Sequence, residues 1–140
     1  MKRLLGPWIP VLTVLFLAGC MQPKVDPDLL DSPDEKALHD LMVARCRALS
    51  EKDLALFEEI YTRDSPELEW IREQGIPMWR QWGVRFRVWS VKRLSILGDD
   101  AAGRFVLNGN NRYGKQFVET VEALFVRRDG RWKIESTGAL

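Results

Sequence analysis

Histidine and cysteine, the side chains that most often bind metals or carry redox chemistry, are scarce in this sequence. There is one histidine, His39, and there are two cysteines, Cys20 and Cys46. One histidine with so few thiols is a poor match to the usual ligand sets of metal sites. The sequence also has no GxGxxG, phosphate loop, Cys-x-x-Cys or nucleophile elbow, the motifs that mark several cofactor and enzyme classes. We therefore predict no metal, no cofactor and no assigned catalytic residue.

A charge excess of either sign is also missing. The chain has 21 basic and 20 acidic residues, and removal of Lys2 and Arg3 with a leader would leave 19 of the 21 basic ones. Nucleic-acid-binding domains usually carry a basic excess, so we do not predict a nucleic-acid partner. A basic stripe does occur in residues 85–93, RFRVWSVKR, and we interpret it as a solvated sheet face.

The apolar run near the start is too short to span a bilayer comfortably. Residues 4–17, LLGPWIPVLTVLFL, carry no charge and follow Lys2 and Arg3. A helix of this length rises about 21 Å, whereas the hydrocarbon core of a bilayer is about 30 Å thick. A positive start, a short apolar stretch and small residues at its end predict a secretory signal peptide over residues 1–19.

The end of this leader, Leu-Ala-Gly-Cys at residues 17–20, resembles the lipobox of bacterial lipoproteins. The resemblance implies that the Cys20 thiol receives a diacylglycerol, that the leader is cut before Cys20, and that residues 20–31 form a flexible tether to a membrane. The next residue is Met21 rather than the aspartate that commonly signals inner-membrane retention. This implies an outer-membrane protein that faces the periplasm, if the organism is Gram-negative. An ordinary signal peptide and an uncleaved signal anchor are the alternatives.

Three helices are predicted between residues 32 and 75. Ser-Pro-Asp-Glu at 32–35 is a capping box with proline at the first helical position. The stripe of residues that recur at helical spacing comprises Leu38, Leu41, Met42, Arg45, Cys46 and Leu49. Ser50 is expected to cap a second helix. Ser-Pro-Glu at 65–67 signals a third, for which Asp64 is a further candidate cap.

From residue 84 the apolar residues alternate, which predicts four strands. The alternation slips at residues 89–91, which indicates a bulge in a long, bent strand. Turns are predicted at 98–100, 108–111 and 129–130. Helices followed by strands predict an α+β domain over residues 32–140, with the helices packed on one face of a curved antiparallel sheet.

This order of elements resembles the nuclear transport factor 2-like superfamily, also called the cystatin-like cone. Residues 98–102, GDDAA, are similar to that family's turn into a central strand, and residues 125–134, FVRRDGRWKI, to its closing hairpin. The resemblance implies a cone with a pocket between the helices and the concave sheet. Its members include ketosteroid isomerase, polyketide cyclases, transport factors and secretion-system subunits, so the function has to be argued from the site.

Four aromatic side chains are candidates for lining such a pocket: Tyr61, Trp79, Trp82 and Trp89. The alternative for each is a place in the core, because small domains bury their large aromatic residues. A core position is also expected for Cys46, as a structural thiol.

Two carboxylates in the third strand, Glu119 and Glu122, lie on opposite faces, so one of them faces the cone interior. A buried carboxylate there could act as a base. The interpretation that we favour is exposure or pairing with Arg85, Arg87 or Arg104 across the sheet.

The sequence favours a lipid-anchored envelope protein whose cone binds rather than catalyses. Its partner would be a small apolar ligand in the cone or a protein on the sheet, and the resemblance makes a homodimer a further candidate. The alternatives are an isomerase, dehydratase or cyclase-type enzyme and a structural subunit of an envelope assembly. An enzyme needs a buried acid–base pair, whereas an assembly subunit needs a filled cone and an exposed apolar sheet face.

Overall fold

The computed structural model describes residue 30, residues 32–75 and residues 85–139. The leader, most of the tether with Cys20, and the candidates Trp79 and Trp82 lie outside the described residues. Helix α1 comprises Pro33–Glu51. Ser32 caps it as the capping box predicts, since its Oγ accepts a hydrogen bond from the Glu35 backbone N–H at 3.0 Å.

The second helix, α2, comprises Leu54–Ile60, and its cap differs from the prediction. Asp53 caps it, with a side-chain oxygen 3.1 Å from the Leu56 backbone nitrogen. Ser50 cannot cap α2 because α1 continues to residue 51. The Ser50 hydroxyl instead donates to the Cys46 carbonyl at 2.8 Å and accepts from the Phe86 backbone N–H at 2.9 Å. It therefore joins the end of α1 to the start of the sheet.

The third helix, α3, comprises Pro66–Trp70 and continues as a single π-helical turn over Ile71–Gly75. Ser65 caps α3 and accepts a hydrogen bond from the Leu68 backbone N–H at 3.3 Å. Asp64 is not the cap, and its carboxylate lies 3.4 Å from the Arg128 guanidinium.

Four antiparallel strands form one sheet in the order β1-β2-β3-β4. They comprise Arg85–Leu97, Asp100–Asn110, Gln116–Arg128 and Arg131–Ala139. The pairing of β1 with β2 is irregular between residues 88 and 90 and again between residues 91 and 93. The predicted bulge is thus confirmed, and a second one follows it. Each bulge bends its strand, so together they give β1 the curvature that a cone requires.

The turn between β2 and β3 lies later than predicted. Strand β2 continues through Asn110, and the chain turns over residues 111–115. The Asn111 side chain accepts hydrogen bonds from the backbone N–H groups of Tyr113 and Lys115, each at 2.9 Å. This side-chain-to-backbone bonding is an Asx turn, which explains why Asn111 and not Asn108 begins the turn.

The closing hairpin is longer than predicted. Asp129 and Gly130 have φ values of 53° and 73°, which confirms the tight turn, because two-residue hairpin turns need positive φ. Strand β4 continues beyond residue 135 to Ala139, which pairs with Val121 of β3.

The helices pack on the concave face of the sheet around one core. Trp132 is 7% exposed and Ile134 is fully buried, as predicted for the last strand. The largest side chains that are fully buried are Tyr61, Phe57, Phe105, Phe125, Leu38 and Met42. This arrangement confirms the α+β fold. Within the described ranges, no helix is long and apolar enough to cross a membrane.

The two ends of α1 lie at opposite ends of the sheet. At its start, the Asp34 carboxylate accepts a hydrogen bond from Trp132 Nε1 at 2.9 Å and lies 3.3 Å from Arg127. Arg127 also pairs with Asp99 in the β1–β2 turn at 3.0 Å. The start of α1 therefore sits beside the β1–β2 and β3–β4 turns, and its last turn lies at the β2–β3 end of the sheet, where Ser50 contacts Phe86.

Candidate functional site

The cone contains a cluster of polar side chains where the helices meet the last strand. We call the residues Arg45 of α1, Tyr61 after α2, Glu67 of α3 and Thr137 of β4 the interior polar cluster. Arg45 donates from Nε to the Tyr61 hydroxyl at 2.9 Å and from Nη2 to the Thr137 hydroxyl at 3.0 Å. Tyr61 in turn donates to Glu67 Oε1 at 3.0 Å.

Glu67 completes the cluster by accepting from β4. Its carboxylate accepts the Thr137 backbone N–H at 2.6 Å and the Thr137 hydroxyl at 2.5 Å. Arg45 Nη2 lies 3.6 Å from Glu67 Oε1, which makes a partly buried ion pair. The arginine and the glutamate side chains are 13% and 20% exposed, so water reaches little of either.

Burial sets the protonation states of this cluster. Removal from water raises the pKa of Tyr61 to about 12, and Arg45 opposes that shift only in part. For Arg45, burial lowers the pKa, but Tyr61 and Glu67 outweigh it, and the net direction is upward. At neutral pH the cluster therefore holds a neutral phenol and a charged guanidinium.

The hydrogen bonds within the cluster leave little chemistry available to a substrate. The Tyr61 hydroxyl donates its only proton to Glu67 and accepts from Arg45. A general acid or base must reach the substrate with the proton that it transfers. The arrangement fits a structural connection between three helices and β4 better than an acid–base pair.

The two carboxylates of β3 lie on opposite faces, as predicted. Glu119 pairs with Leu107 in the register and shares its concave face, where it is half-buried. Glu122 is exposed on the outer face, opposite Arg104 in the register of β2 and β3. Near Glu119, Cys46 is 2% exposed, and burial raises the pKa of its thiol to about 11. This thiol is a buried structural group, because little of it ionises at neutral pH.

The surface of the described part includes two depressions. The larger, of about 610 Å³, lies between α2 and the β3–β4 hairpin. Its lining comprises Glu58, Glu59, Tyr61, Thr62, Arg63, Arg128, Asp129, Arg131 and Lys133. The smaller, of about 220 Å³, lies at the β2–β3 end of the sheet. Its lining comprises Arg85, Phe86, Arg87, Asn108, Gly109, Asn110 and Gln116. Both linings are mainly polar and charged, which differs from the apolar pocket expected inside a cone.

The structure separates the predicted pocket residues that it describes. Tyr61 is 1% exposed, belongs to the core and also borders the larger depression. Trp89 is 53% exposed and has the Arg87 guanidinium 5.2 Å from its ring centre. It lies outside the cone, which corrects its place among the pocket candidates. The alternation along β1 is the reason, because Phe86 and Val88 take concave positions, so that Arg87 and Trp89 face the other side.

Metal binding finds no support in the described ranges. His39 lies on α1 with Nδ1 3.8 Å from the carboxylate of Asp40, and the described residues contain no group of three or more ligating side chains.

Sequence reasoning missed the interior polar cluster, although one signal was present. Arg45 occupies a position in the inward stripe of α1 that is otherwise apolar. A charged residue at such a position needs a buried partner. Glu67 and Thr137 carry no comparable signal, because a glutamate in a first helical turn and a threonine in a strand are both ordinary.

Comparison with known proteins identifies the fold and no more. No protein-family model and no curated protein matches the chain. Among solved structures, a cystatin-like protein of unknown function from Nostoc punctiforme is 17% identical with a TM-score of 0.67, over 79% of this chain and 92% of that one. A nuclear transport factor 2-like protein from Salmonella enterica is 10% identical with a TM-score of 0.60, over 75% and 88%.

A third similar structure, an uncharacterised cystatin-like protein from Caulobacter vibrioides, is 14% identical with a TM-score of 0.54, over 74% of this chain and 86% of that one. The chain therefore has the cystatin-like, nuclear transport factor 2-like fold. At these identities the likeness carries no activity, since this fold hosts many unrelated functions.

Replacement of Arg45 by methionine tests the interior polar cluster. We expect Arg45→Met to lower the free energy of unfolding by about 3 kcal/mol, because it leaves a buried carboxylate without its cation. Arg47→Met is the matched control on the exposed face of the same helix, and it should change stability by about 0.5 kcal/mol or less. Urea unfolding of both variants measures the difference, and equal stabilities would contradict the assigned role of Arg45.

The ionisation of Tyr61 is a second test, because the chain has only two tyrosines. In a Tyr113→Phe variant, the phenolate absorbance should rise with a midpoint near pH 12, well above the usual value of about 10. Since the folded pKa lies above the unfolded one, the stability that the neutral phenol contributes is complete below about pH 10. It is lost as the pH rises towards 12. Circular dichroism at each pH must show a folded chain, and a midpoint near 10 in that state would refute the burial argument.

Proposed function

We propose that this cystatin-like, nuclear transport factor 2-like domain is a non-catalytic binding module, which a lipid on Cys20 anchors in the bacterial cell envelope. The module binds its partner on the outer surface of the cone. The packing of the cone interior is the observation that carries this proposal. The anchor rests on the leader sequence alone.

The concave face of the sheet is already occupied by the protein's own side chains. Every inward-facing residue of β2, from Ala101 to Gly109, is buried. Val121, Ala123 and Phe125 cover the same face of β3. The polar side chains of the interior cluster bond to one another. Such an interior leaves little room for a ligand, so the surface is the better candidate for binding a partner.

The outer face of the sheet supplies apolar surface for a partner. Leu97 is 83% exposed and Leu124 is 45% exposed, and both lie on the convex face near the β1–β2 turn. Exposed apolar side chains on one face support a protein partner or a second copy of this chain. A homodimer through this face is therefore included in the proposal.

An enzyme of the isomerase, dehydratase or cyclase type is the second candidate, and Glu119 is the observation that favours it. Glu119 is a carboxylate on the concave face, where its neighbours in β2 and β3 are apolar. Such a carboxylate could take a proton from a substrate that enters the cone. The packed interior weighs against that entry.

The location follows from the proposed anchor. Two or more acyl chains hold a protein stably on a membrane, whereas one chain gives reversible binding. With Met21 after the modified cysteine, we propose that, if the organism is Gram-negative, the anchor lies in the outer membrane and the domain faces the periplasm.

Metabolic labelling tests the anchor. Cells that express the full chain with a labelled fatty acid should give a labelled protein, and Cys20→Ser should abolish the label because the acceptor thiol is lost. Cys46→Ala is the matched control, since it removes the other cysteine and should keep the label. A label that persists in Cys20→Ser would overturn the anchor.

Native mass spectrometry tests the binding module. We use the mature chain from residue 20 with Cys20→Ser and expect a mass without a bound small molecule, since the cone is filled. An apolar molecule that stays bound would contradict this and would favour the cone ligand or the enzyme. A doubled mass would identify a second copy as the partner. Leu124→Lys should then restore the monomer, whereas Val43→Lys, equally exposed on α1 at 45%, should not.

A further inference from the structure

The net charge of the chain is near zero, but the acidic and basic residues are distributed unevenly between the helices and the sheet. Residues 32–75, which form the helices, contain eleven acidic and six basic residues. Residues 85–139, which form the sheet, contain six acidic and eleven basic residues. The domain therefore presents an acidic helical layer and a basic sheet.

One end of the sheet carries positive charge away from the exposed carboxylates. Between residues 85 and 118 the only acidic residues are Asp99 and Asp100, which lie at the β1–β2 turn. Arg85 and Arg87 lie towards the opposite end, where they pair in the register with Asn110 and Asn108. Both side chains are exposed, and no carboxylate of the described residues forms an ion pair with them. Their charge is therefore available to a ligand.

Aromatic rings accompany these cations at the same end. Trp89 follows Arg87 on β1, and its ring lies against that guanidinium at 5.2 Å. Tyr113, in the turn between β2 and β3, is 74% exposed, with the Arg112 guanidinium 4.8 Å from its ring centre. Exposed Trp and Tyr beside Arg and Lys are typical of protein surfaces that meet the headgroup region of a membrane.

The smaller depression lies within this region. Its outward-facing lining consists of Arg85, Arg87, Asn108, Asn110 and Gln116, all of which can donate hydrogen bonds. A guanidinium binds a phosphate through two parallel hydrogen bonds, and side-chain amides add further donors. We call the depression together with Trp89, Arg112, Tyr113 and Lys115 the basic–aromatic surface.

We infer that the basic–aromatic surface docks on the phosphate headgroups of anionic lipids in the membrane to which the chain is tethered. This inference rests on the proposed anchor. A lone soluble phosphate would need only the depression. The exposed Trp89 and Tyr113 rings and the cations beyond the depression fit an extended anionic surface instead. In this orientation the acidic helical layer faces away from the lipid.

The tether is long enough for such docking. The surface lies at the β2–β3 end of the sheet, whereas the tether joins the domain at the start of α1, at the other end. Helix α1 has 19 residues and is about 28 Å long. Leu30 is already buried, at 3% exposed, so the tether spans residues 20–29 and reaches at most about 35 Å when extended. The tether can therefore run the length of the domain and return to the membrane.

Vesicle sedimentation of an unlipidated chain tests the surface separately from the anchor. We use the mature chain from residue 20 with Cys20→Ser, so that no acyl chain contributes. The vesicles are phosphatidylcholine alone or an equal mixture with phosphatidylglycerol. At low ionic strength, binding should require phosphatidylglycerol, and it should weaken as salt is added, because exposed charges are screened.

A matched pair of double variants locates the binding. Arg85→Gln with Arg87→Gln should lower the partition coefficient about 25-fold, at a factor of about five for each basic residue near an anionic surface. Arg63→Gln with Arg131→Gln removes the same charge at the larger depression and should retain binding. Circular dichroism checks that both variants fold.

Three outcomes would overturn the inference. The first is that the chain binds the vesicles with phosphatidylglycerol no better than those of phosphatidylcholine alone. The second is an equal loss in both double variants, which would indicate net charge alone. The third is thermal stabilisation by inorganic phosphate with no binding to vesicles, which would assign the depression to a soluble phosphate. If the unchanged chain takes up no labelled fatty acid but the unlipidated chain binds the vesicles, the anchor is refuted and the inference about the surface stands.

Discussion

The charge of Arg45 inside the cone is the constraint on which much of the structure depends. A guanidinium with little access to water is costly unless hydrogen bonds and an opposite charge compensate it. The compensation comes from three places that are distant in sequence: Tyr61, Glu67 and Thr137. Because all three partners must contact Arg45 at the same time, this one side chain fixes the relative positions of α1, the end of α2, α3 and β4. A shift of any of these elements would leave a partner unbonded.

The same cluster limits what the cone can do. The polar groups that could have faced a ligand are bonded to one another, and the remaining concave positions are filled by core side chains such as Phe105 and Phe125. The convex face of the sheet, by contrast, is not covered by core side chains. The two bulges in β1 curve the sheet, and the alternation along this strand places the Trp89 ring on the convex side, where it is exposed. The same curved sheet therefore fills the interior with one set of side chains and exposes the other set on its convex face.

Much of the fold was predictable from the sequence, because its signals are local. The capping box at Ser32, the bulge in β1 and the Asp-Gly turn each depend on a few neighbouring residues, and all three are confirmed. Element ends were less predictable. Ser50 has the chemistry of a cap, yet α1 continues past it, since packing on the sheet outweighs a capping preference.

The interior polar cluster could not be predicted from local patterns. It depends on contacts between residues up to 92 positions apart, Arg45 and Thr137, and no short motif marks them. The outward side of Trp89, by contrast, could be predicted from the sequence, because it continues the alternation of Arg85 and Arg87. Only the arginine in an apolar stripe indicated that something polar had to meet it.

Charge segregation and the proposed tether reinforce each other physically. A weak surface contact gains greatly when the partner is held nearby, because the second contact becomes intramolecular. For a free domain, a few exposed cations would give little affinity at physiological ionic strength, where exposed charges more than about 8 Å apart interact little. For a domain that a lipid already holds at the bilayer, the same weak contacts are sufficient to orient the domain on the membrane. The β2–β3 end of the sheet turned to the lipid leaves the acidic helical layer, and the convex surface around Leu97 and Leu124 at the other end, open to other envelope components.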